Sequence, residues 1–393
     1  MQNAPHIPLP SRLPDVGTTI FTVMSSLAQE CQAVNLGQGF PDFVGDPTLP
    51  ELVHQAMLNG HNQYPPMAGV LGLREAISLK TQQLYGHAYD PVHEVTVTAG
   101  ATQALLTAVL ALTEPGDDVV VLEPCYDSYI PAIQMAGCRP IRVPLDAQTF
   151  RPDFDQIRQA ITLRTRLLII NTPHNPSGTC WTAEEMNELA NILSDTSVMV
   201  LSDEVYEHMV YDKHAHQSVV RHPELRSRSL VVSSFGKTFH VTGWKVGYVL
   251  GPQALMAEFR KIHQFNVFTV NTPMQMGLST YLGNPKPYLE LPLFYEEKRN
   301  HLRQGLQSMP FELLPCEGTY FQCVRYKTQD WHQAPEHDAD FCIWLTRKVG
   351  VTAIPMSAFY TSPTRSQVIR FCFAKQLKTL DEALHRMRQY LAS

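Results

Sequence analysis

The stretch Leu230-Val-Val-Ser-Ser-Phe-Gly-Lys-Thr-Phe-His-Val-Thr-Gly-Trp-Lys-Val-Gly-Tyr-Val-Leu250 decides the fold. Two runs rich in β-branched residues, Leu230–Ser233 and Val246–Leu250, bracket a turn that carries hydroxyls, glycine and Lys237. Such residues pack well on a pleated surface, so both runs read as strands. Comparable runs lie at Val95–Thr98, Val119–Leu122, Leu167–Asn171 and Val198–Ser202, and helical patterns alternate with them. That alternation predicts an α/β fold with a mostly parallel sheet. Ligands of open α/β sheets bind beyond the carboxyl ends of strands, so the polar residues that end each run are the candidates for chemistry.

Around this centre the texture of the chain changes twice. Residues 1–45 mix Pro, Gly and short polar stretches with one helix expected from Phe21 to Glu30, and read as an arm. Residues 46–284 hold the alternating strands and helices of a large α/β domain. From about Pro285 a charged helix (Phe294 to Gln307), a strand (Glu317–Tyr326), a helix near Asp338–Val349, a strand near Val368–Phe373 and a last helix predict a smaller α+β domain, residues 285–393.

A chain of 393 residues, 44% hydrophobic and 17% charged, can bury a large core. Its formal charge of -6 is spread rather than clustered, which gives no footprint for nucleic acid or an anionic membrane and favours small-molecule partners. The eight cysteines form no C-x-x-C pair and read as scattered thiols of a cytoplasmic protein. The N-terminal Met-Gln-Asn-Ala-Pro-His-Ile-Pro lacks the pattern of a secretory leader, and no run approaches about 18 apolar residues.

The strand ends are individually ambiguous. Gly100, Ala101 and Thr102 open an apolar helix after Val95–Thr98; they could present free N–H groups to a phosphate or simply start a capped helix. Asn171 leads into Thr172-Pro-His-Asn-Pro-Ser-Gly-Thr179, which is either a Pro/Gly loop or a pair of asparagines at a strand mouth. Asp203 and Tyr206 follow a hydrophobic strand, where Asp203 could cap a helix or hold a heterocyclic nitrogen protonated. Lys237 read alone could be a surface lysine; buried past a strand, its amine would turn nucleophilic. Arg370 lies within Val368-Ile-Arg-Phe-Cys-Phe373, where an unpaired charge is expensive, so it either pairs with a carboxylate of the protein or clamps one from a ligand.

Taken in order, Asn175-Pro-x-Gly178, Asp203-x-x-Tyr206, Ser234-x-x-Lys237 and Gly243-Trp-Lys-x-Gly247 resemble the fold-type I pyridoxal-phosphate aminotransferases of class I. The resemblance runs from about Asn35 to Lys375. Asn35-Leu-Gly-Gln-Gly-Phe-Pro-Asp-Phe43 and Arg370-Phe-Cys-Phe-Ala374 are most similar to the bacterial methionine and the kynurenine/glutamine aminotransferase branch. It implies a three-layer fold and pyridoxal 5'-phosphate as cofactor. Lys237 matches the lysine that anchors the cofactor as a Schiff base and then shuttles a proton. Asp203 matches the partner of the pyridine nitrogen, and Asn175 and Tyr206 match the pair that hydrogen-bonds its ring oxygen. Tyr126 matches the stacking aromatic; its plainer reading is core packing. Gly100, Ala101, Thr102, Ser234 and Lys245 match the phosphate cradle, although arginine is commoner than lysine at the position of Lys245. Tyr64 matches a tyrosine that crosses to the neighbouring subunit, which implies a homodimer with shared sites. Arg370, helped by Gly39 and Asn175, matches the clamp on the substrate carboxylate.

The resemblance also bears on substrate. Dicarboxylate-specific relatives draw a second arginine from the neighbouring subunit, but His263-Gln-Phe-Asn-Val-Phe-Thr-Val-Asn-Thr-Pro273 contains no arginine or lysine. Phe21, Phe40, Phe268 and Tyr126 would form an apolar, polarizable pocket. The expected reaction is ping-pong transfer of the amino group of a neutral amino acid, methionine first and glutamine or aromatic amino acids next, to a 2-oxo acid. β-Elimination on cysteine S-conjugates is the rival on the same cofactor. Ser234-x-x-Lys237 also fits a serine β-lactamase signature, but the partner strings Ser202-Asp-Glu204 and Lys237-Thr-Phe239 break the expected order. A non-enzymatic binding module would leave the strand-end charges without a reason. His214, His216 and His222 read as a solvated loop rather than a metal site.

Overall fold

A computed structural model describes residues 10–362, 364 and 366–392. The first nine residues of the arm, on which the expectation of no secretory leader falls, lie outside the described residues. In chain order the strands are β1 (Val34–Asn35), β2 (Val95–Thr98), β3 (Asp118–Glu123), β4 (Arg139–Pro144), β5 (Thr165–Asn171), β6 (Met199–Asp203), β7 (Ser229–Ser234), β8 (Gly247–Leu250), β9 (Phe311–Leu313), β10 (Phe321–Tyr326), β11 (Val351–Thr352), β12 (Ile354–Pro355) and β13 (Val368–Cys372).

Seven of them form one sheet in the order β2-β8-β7-β6-β5-β3-β4. Pairing is parallel from β7 through β6, β5 and β3 to β4, and only β8 runs antiparallel to its neighbours β2 and β7. β2, β3, β7 and β8 are buried along their whole length, as strands covered on both faces must be. Alternate residues feed two separate cores. Val119, Val121, Leu167, Ile169, Leu230 and Val232 pack with the helices Ala101–Leu112 and Gln253–Asn266. Val120, Leu122, Leu168, Ile170, Val200 and Val231 pack on the other side with the helices Leu71–Tyr85 and Ala183–Leu193. The period of two along the strands thereby produces helix, sheet and helix as three layers.

A second, antiparallel sheet has the order β12-β13-β10-β9, and β1 of the arm pairs in parallel with β11. The arm is therefore stitched to the C-terminal third of the chain. Elements differ from the sequence reading in a few places. β4, Arg139-Pro-Ile-Arg-Val-Pro144, gave no strand signal because Pro and Arg interrupt it, which suits its place at the sheet edge. β10 starts at Phe321 rather than Glu317, since Thr319 takes a left-handed turn with φ 62°. The charged helix begins at Leu291, with proline in its first turn, and ends at Leu306. The helix from Asp338 is α-helical to Trp344, then widens over Leu345–Val349 and stops at Gly350 in the left-handed region.

Parallel pairing brings the ends of β5, β6 and β7 to one edge: Asn171 lies beside Asp203, and Asp203 beside Val232. β8 returns close to the turn after β2. A Cβ on Gly247 would stand 2.6 Å from the carbonyl oxygen of Ser233 and 3.3 Å from the amide nitrogen of Ala101. Both are backbone atoms and cannot swing aside. Gly247→Ala is expected to destabilise the protein by about 1–3 kcal/mol through overpacking, read as a lower denaturant midpoint; an unchanged midpoint would contradict this close approach.

Candidate functional site

A cavity of about 360 Å³ opens at this edge. Phe21, Gly39, Phe40, Gly100, Ala101, Thr102, Tyr126, Asn175, Asp203, Tyr206, Ser234, Lys237, Lys245 and Arg370, fourteen of the residues singled out from the sequence, line it. Tyr64 and Phe268 do not. They pack against each other at 5.2 Å on the surface, 81% and 44% exposed.

One wall is built for an anion. Gly100, at φ 78°, turns the chain from β2 into the helix Ala101–Leu112, and no side chain caps that helix. Its first N–H groups and the positive end of its dipole therefore face the cavity. A Cβ on Gly100 would meet Lys245 Cε and Nζ at 3.4 Å, so the ammonium lies against this turn. Ser234 at the end of β7 and Thr102 add hydroxyls, and Thr102 Oγ1 is 3.5 Å from the hydroxyl of Tyr126.

Opposite stands a carboxylate. Asp203 ends β6 and is 3% exposed; no helix follows it, so it caps nothing. Tyr129 donates to Oδ2 at 2.6 Å and the amide of Val205 to Oδ1 at 3.3 Å. Burial raises its pKa to about 6, the two hydrogen bonds opposing the shift. Asn171 ties this edge together: its amide donates to the Asp203 carbonyl at 2.8 Å and its oxygen accepts from the Asn175 amide at 2.7 Å.

Lys237 lies on a single helical turn, Phe235–Thr238, and is half-buried rather than solvated. Its amine donates to the hydroxyl of Tyr320 at 3.0 Å. Desolvation lowers its pKa to about 8, and the charges of Arg370 and Lys245 push the same way. Tyr206, whose ring meets that of Tyr320 edge-on at 5.1 Å, is buried and held protonated by that burial.

Arg370 occupies the middle of β13 at 2% exposure. Its guanidinium lies 3.7 Å from the ring centroid of Phe321 and 4.7 Å from that of Phe359. Nη1 donates to Asn175 Oδ1 at 2.6 Å, while Nε has no partner among the described residues. No carboxylate of the described residues forms an ion pair with it, which removes the structural-pair reading of this arginine.

Tyr129 and Tyr320 escaped the sequence reading. Tyr129 follows Tyr126 by three residues, a spacing that puts two aromatics on one side of a turn; Tyr320 follows a left-handed residue that nothing in the sequence announces. The histidine loop needs a correction. His216 is buried, not solvated, and its Nε2 lies 2.9 Å from Glu204 Oε2, which with Ser202 and the Val219 amide closes a polar cluster.

Comparison with known proteins agrees with this geometry. Residues 32–387 match the family described as aminotransferase class I and II. A methionine aminotransferase of Escherichia coli (strain K12) is 48% identical over 99% of this chain and 100% of its own. Its crystal structure superposes with a TM-score of 0.95 over 98% of this chain. A probable N-succinyldiaminopimelate aminotransferase of Mycobacterium tuberculosis is 40% identical over 96% of this chain and 97% of its own. A kynurenine–oxoglutarate transaminase of Rattus norvegicus is 33% identical over 96% of this chain and 97% of its own. The chain belongs to the class I and II aminotransferases, enzymes that depend on pyridoxal phosphate.

Proposed function

We propose that the protein transfers the amino group of a neutral, apolar or sulfur-containing amino acid, methionine first, to a 2-oxo acid. The observation that carries this is Arg370 Nε, a buried donor without a partner, facing the same cavity as the Lys237 amine under the apolar rings of Phe21, Phe40 and Phe321. A buried, unpaired guanidinium is stabilised by an anionic ligand group, and an α-carboxylate matches its planar fork.

The residues fit pyridoxal phosphate. Lys245, Ser234, Gly100, Ala101 and Thr102 offer its phosphate one cation, hydroxyls and free helix-terminal amides. When bound, the cofactor supplies an aldehyde for the amino group and a ring that delocalises the electrons left when the substrate Cα loses its proton. Asp203, kept dry, would hold the proton on the ring nitrogen. Asn175 spends its oxygen on Arg370, which leaves its amide N–H to donate together with the Tyr206 hydroxyl toward a ring oxygen. Lys237, with a pKa of about 8, can take a proton from Cα and give it back near neutral pH. Tyr126, which lines the cavity and meets Tyr129 in an edge-to-face contact at 5.8 Å, would cover the ring with its aromatic face.

The exposed Tyr64–Phe268 pair is suited to complete the site of a second subunit in a homodimer. With no Lys or Arg between His263 and Pro273, that contribution is apolar and disfavours dicarboxylates. β1 on β11 supports an arm over residues 1–45 that works with a small domain of residues 285–393, around a large domain of residues 46–284. No helix among the described residues is long and apolar enough to cross a membrane; the eight free cysteines support a place in the cytoplasm.

Against a panel of donors and 2-oxo acids, methionine should exceed aspartate in kcat/KM by about tenfold or more, since a missing charge partner costs at least about 1.4 kcal/mol; Lys237→Ala should abolish turnover, and retention of full activity would overturn the assignment, while pyruvate released from a cysteine conjugate would mark β-elimination. Mixing Tyr64→Ala chains with Lys237→Ala chains should restore activity that neither has alone, because mixed dimers contain one intact site; failure to complement would argue against shared sites. The raised pKa of Asp203, about 6 against 3.8, means that its charge costs stability as pH rises through that window and fully above it. Asp203→Asn should therefore melt higher than the wild-type chain without cofactor at pH 7.5, lose that advantage near pH 4, and fall in kcat by about 10²–10³-fold.

A further inference from the structure

Tyr320 lies behind the cavity wall, next to the lining residue Phe321 and in contact with the lining residue Lys237, and has no part in the roles assigned above. It is fully buried, and its backbone is pinned: its carbonyl accepts from the Phe373 amide at 2.9 Å, and Thr319 before it is fixed through the Met209 carbonyl at 2.9 Å. Its ring is wedged against Tyr206 (5.1 Å), Phe321 (4.8 Å) and Tyr295 (5.8 Å). Its hydroxyl is therefore held at a fixed point. That hydroxyl donates its single hydrogen to the carbonyl of Gly39, in the arm segment that lines the substrate side of the cavity. With the hydrogen committed there, the oxygen can only accept from Lys237 Nζ, 3.0 Å away. Gly39 is fitted to this contact, since a Cβ there would lie 2.9 Å from the Phe321 ring and 3.5 Å from the Tyr320 ring.

We propose that Tyr320 is the positioning residue that holds the Lys237 amine whenever that amine is not covalently engaged, and that it ties this hold to the seating of the Gly39 segment. A neutral amine has two N–H bonds and one lone pair. Fixing one N–H on the Tyr320 oxygen stops free rotation about Cε–Nζ and leaves the lone pair to be aimed into the cavity, where the proton of Cα must be collected. In the charged form the same oxygen accepts a charge-assisted hydrogen bond, so the proton has a defined place to wait. The groups facing the amine from the other elements are Asp203, Tyr206, Lys245, Arg370 and Cys372, and of these Tyr206 also lies near enough to the Tyr320 hydroxyl to share a hydrogen bond with it. The proposal rests on the reading of Lys237 as the proton carrier.

Tyr320→Phe keeps the ring and its packing and tests the hydroxyl alone. In the holoenzyme kcat should fall about tenfold or more while KM for the amino donor changes about twofold or less, the size expected for one hydrogen bond to a charged group. The second readout does not depend on turnover. The full-length chain, stripped of cofactor, is labelled with trinitrobenzenesulfonate over a pH series and Lys237 modification is followed by mass spectrometry. Removing an acceptor from the ammonium should lower the midpoint by about 0.5–1 pH unit. A kcat loss with an unchanged labelling midpoint, or a fall in melting temperature that accounts for the kcat loss, overturns the proposal, as does a variant with wild-type kcat. Failure of the Lys237 reading itself is distinguishable, because Lys237→Ala would then remain active whatever Tyr320→Phe does.

Discussion

Three cations, Lys237, Lys245 and Arg370, converge on one cavity whose buried carboxylate is Asp203. Charges removed from water are expensive unless paired. For Arg370 and Lys237 the expense is not settled by ion pairs: Arg370 leans on Phe321, Phe359 and one amide oxygen, and Lys237 on a phenol, while the exposed Lys245 lies beside a helix N-terminus whose partial charge has the same sign as its own. The fold holds them together because each belongs to an element locked from elsewhere. β13 is central in its sheet, β6 and β7 are central in theirs, and the β8 return is wedged by Gly247. The arrangement is a positive field with spaces for a phosphate and a carboxylate, and a ligand that carries both satisfies it at once.

The same field explains why the two titratable groups sit where they do. Desolvation moves the Asp203 carboxyl up to about 6 and the Lys237 amine down to about 8. Near neutrality the carboxyl is charged yet ready to share a proton with a ring nitrogen, and the amine exchanges one readily. Burial is the largest cause of both, aided at Lys237 by the charges of Arg370 and Lys245. Both come first from a dry cavity, and at Asp203 the Tyr129 hydroxyl limits the rise.

Much of this was legible in the sequence, for reasons that can be named. β5, β6, β7 and β8 announce themselves through continuous Val, Leu and Ile runs, since both faces are buried, and the residues that end them fall at a strand edge by topology alone. Fourteen expected residues accordingly meet in one cavity. What stayed hidden depends on contacts distant in the chain. β4 carries edge chemistry instead of core chemistry. Tyr129 reaches Asp203 across 74 positions, Tyr320 reaches Lys237 across 83, and His216 is buried only because Glu204 meets it. Periodicity speaks about the face a residue turns inward, not about the partner found there.

The crowding of like charges around the cavity has a consequence for the life of the protein in a cell. The desolvated Lys237 and Arg370 are less comfortable in the folded chain than they would be in water, so part of the free energy released when an anionic ligand settles beside them is released as folding stability. A chain made in excess of its vitamin-derived cofactor is the weaker folder of the two populations, and the population that opens more often is the one that proteases remove. Folding stability and ligand binding are thereby coupled around the one cavity that these side chains line.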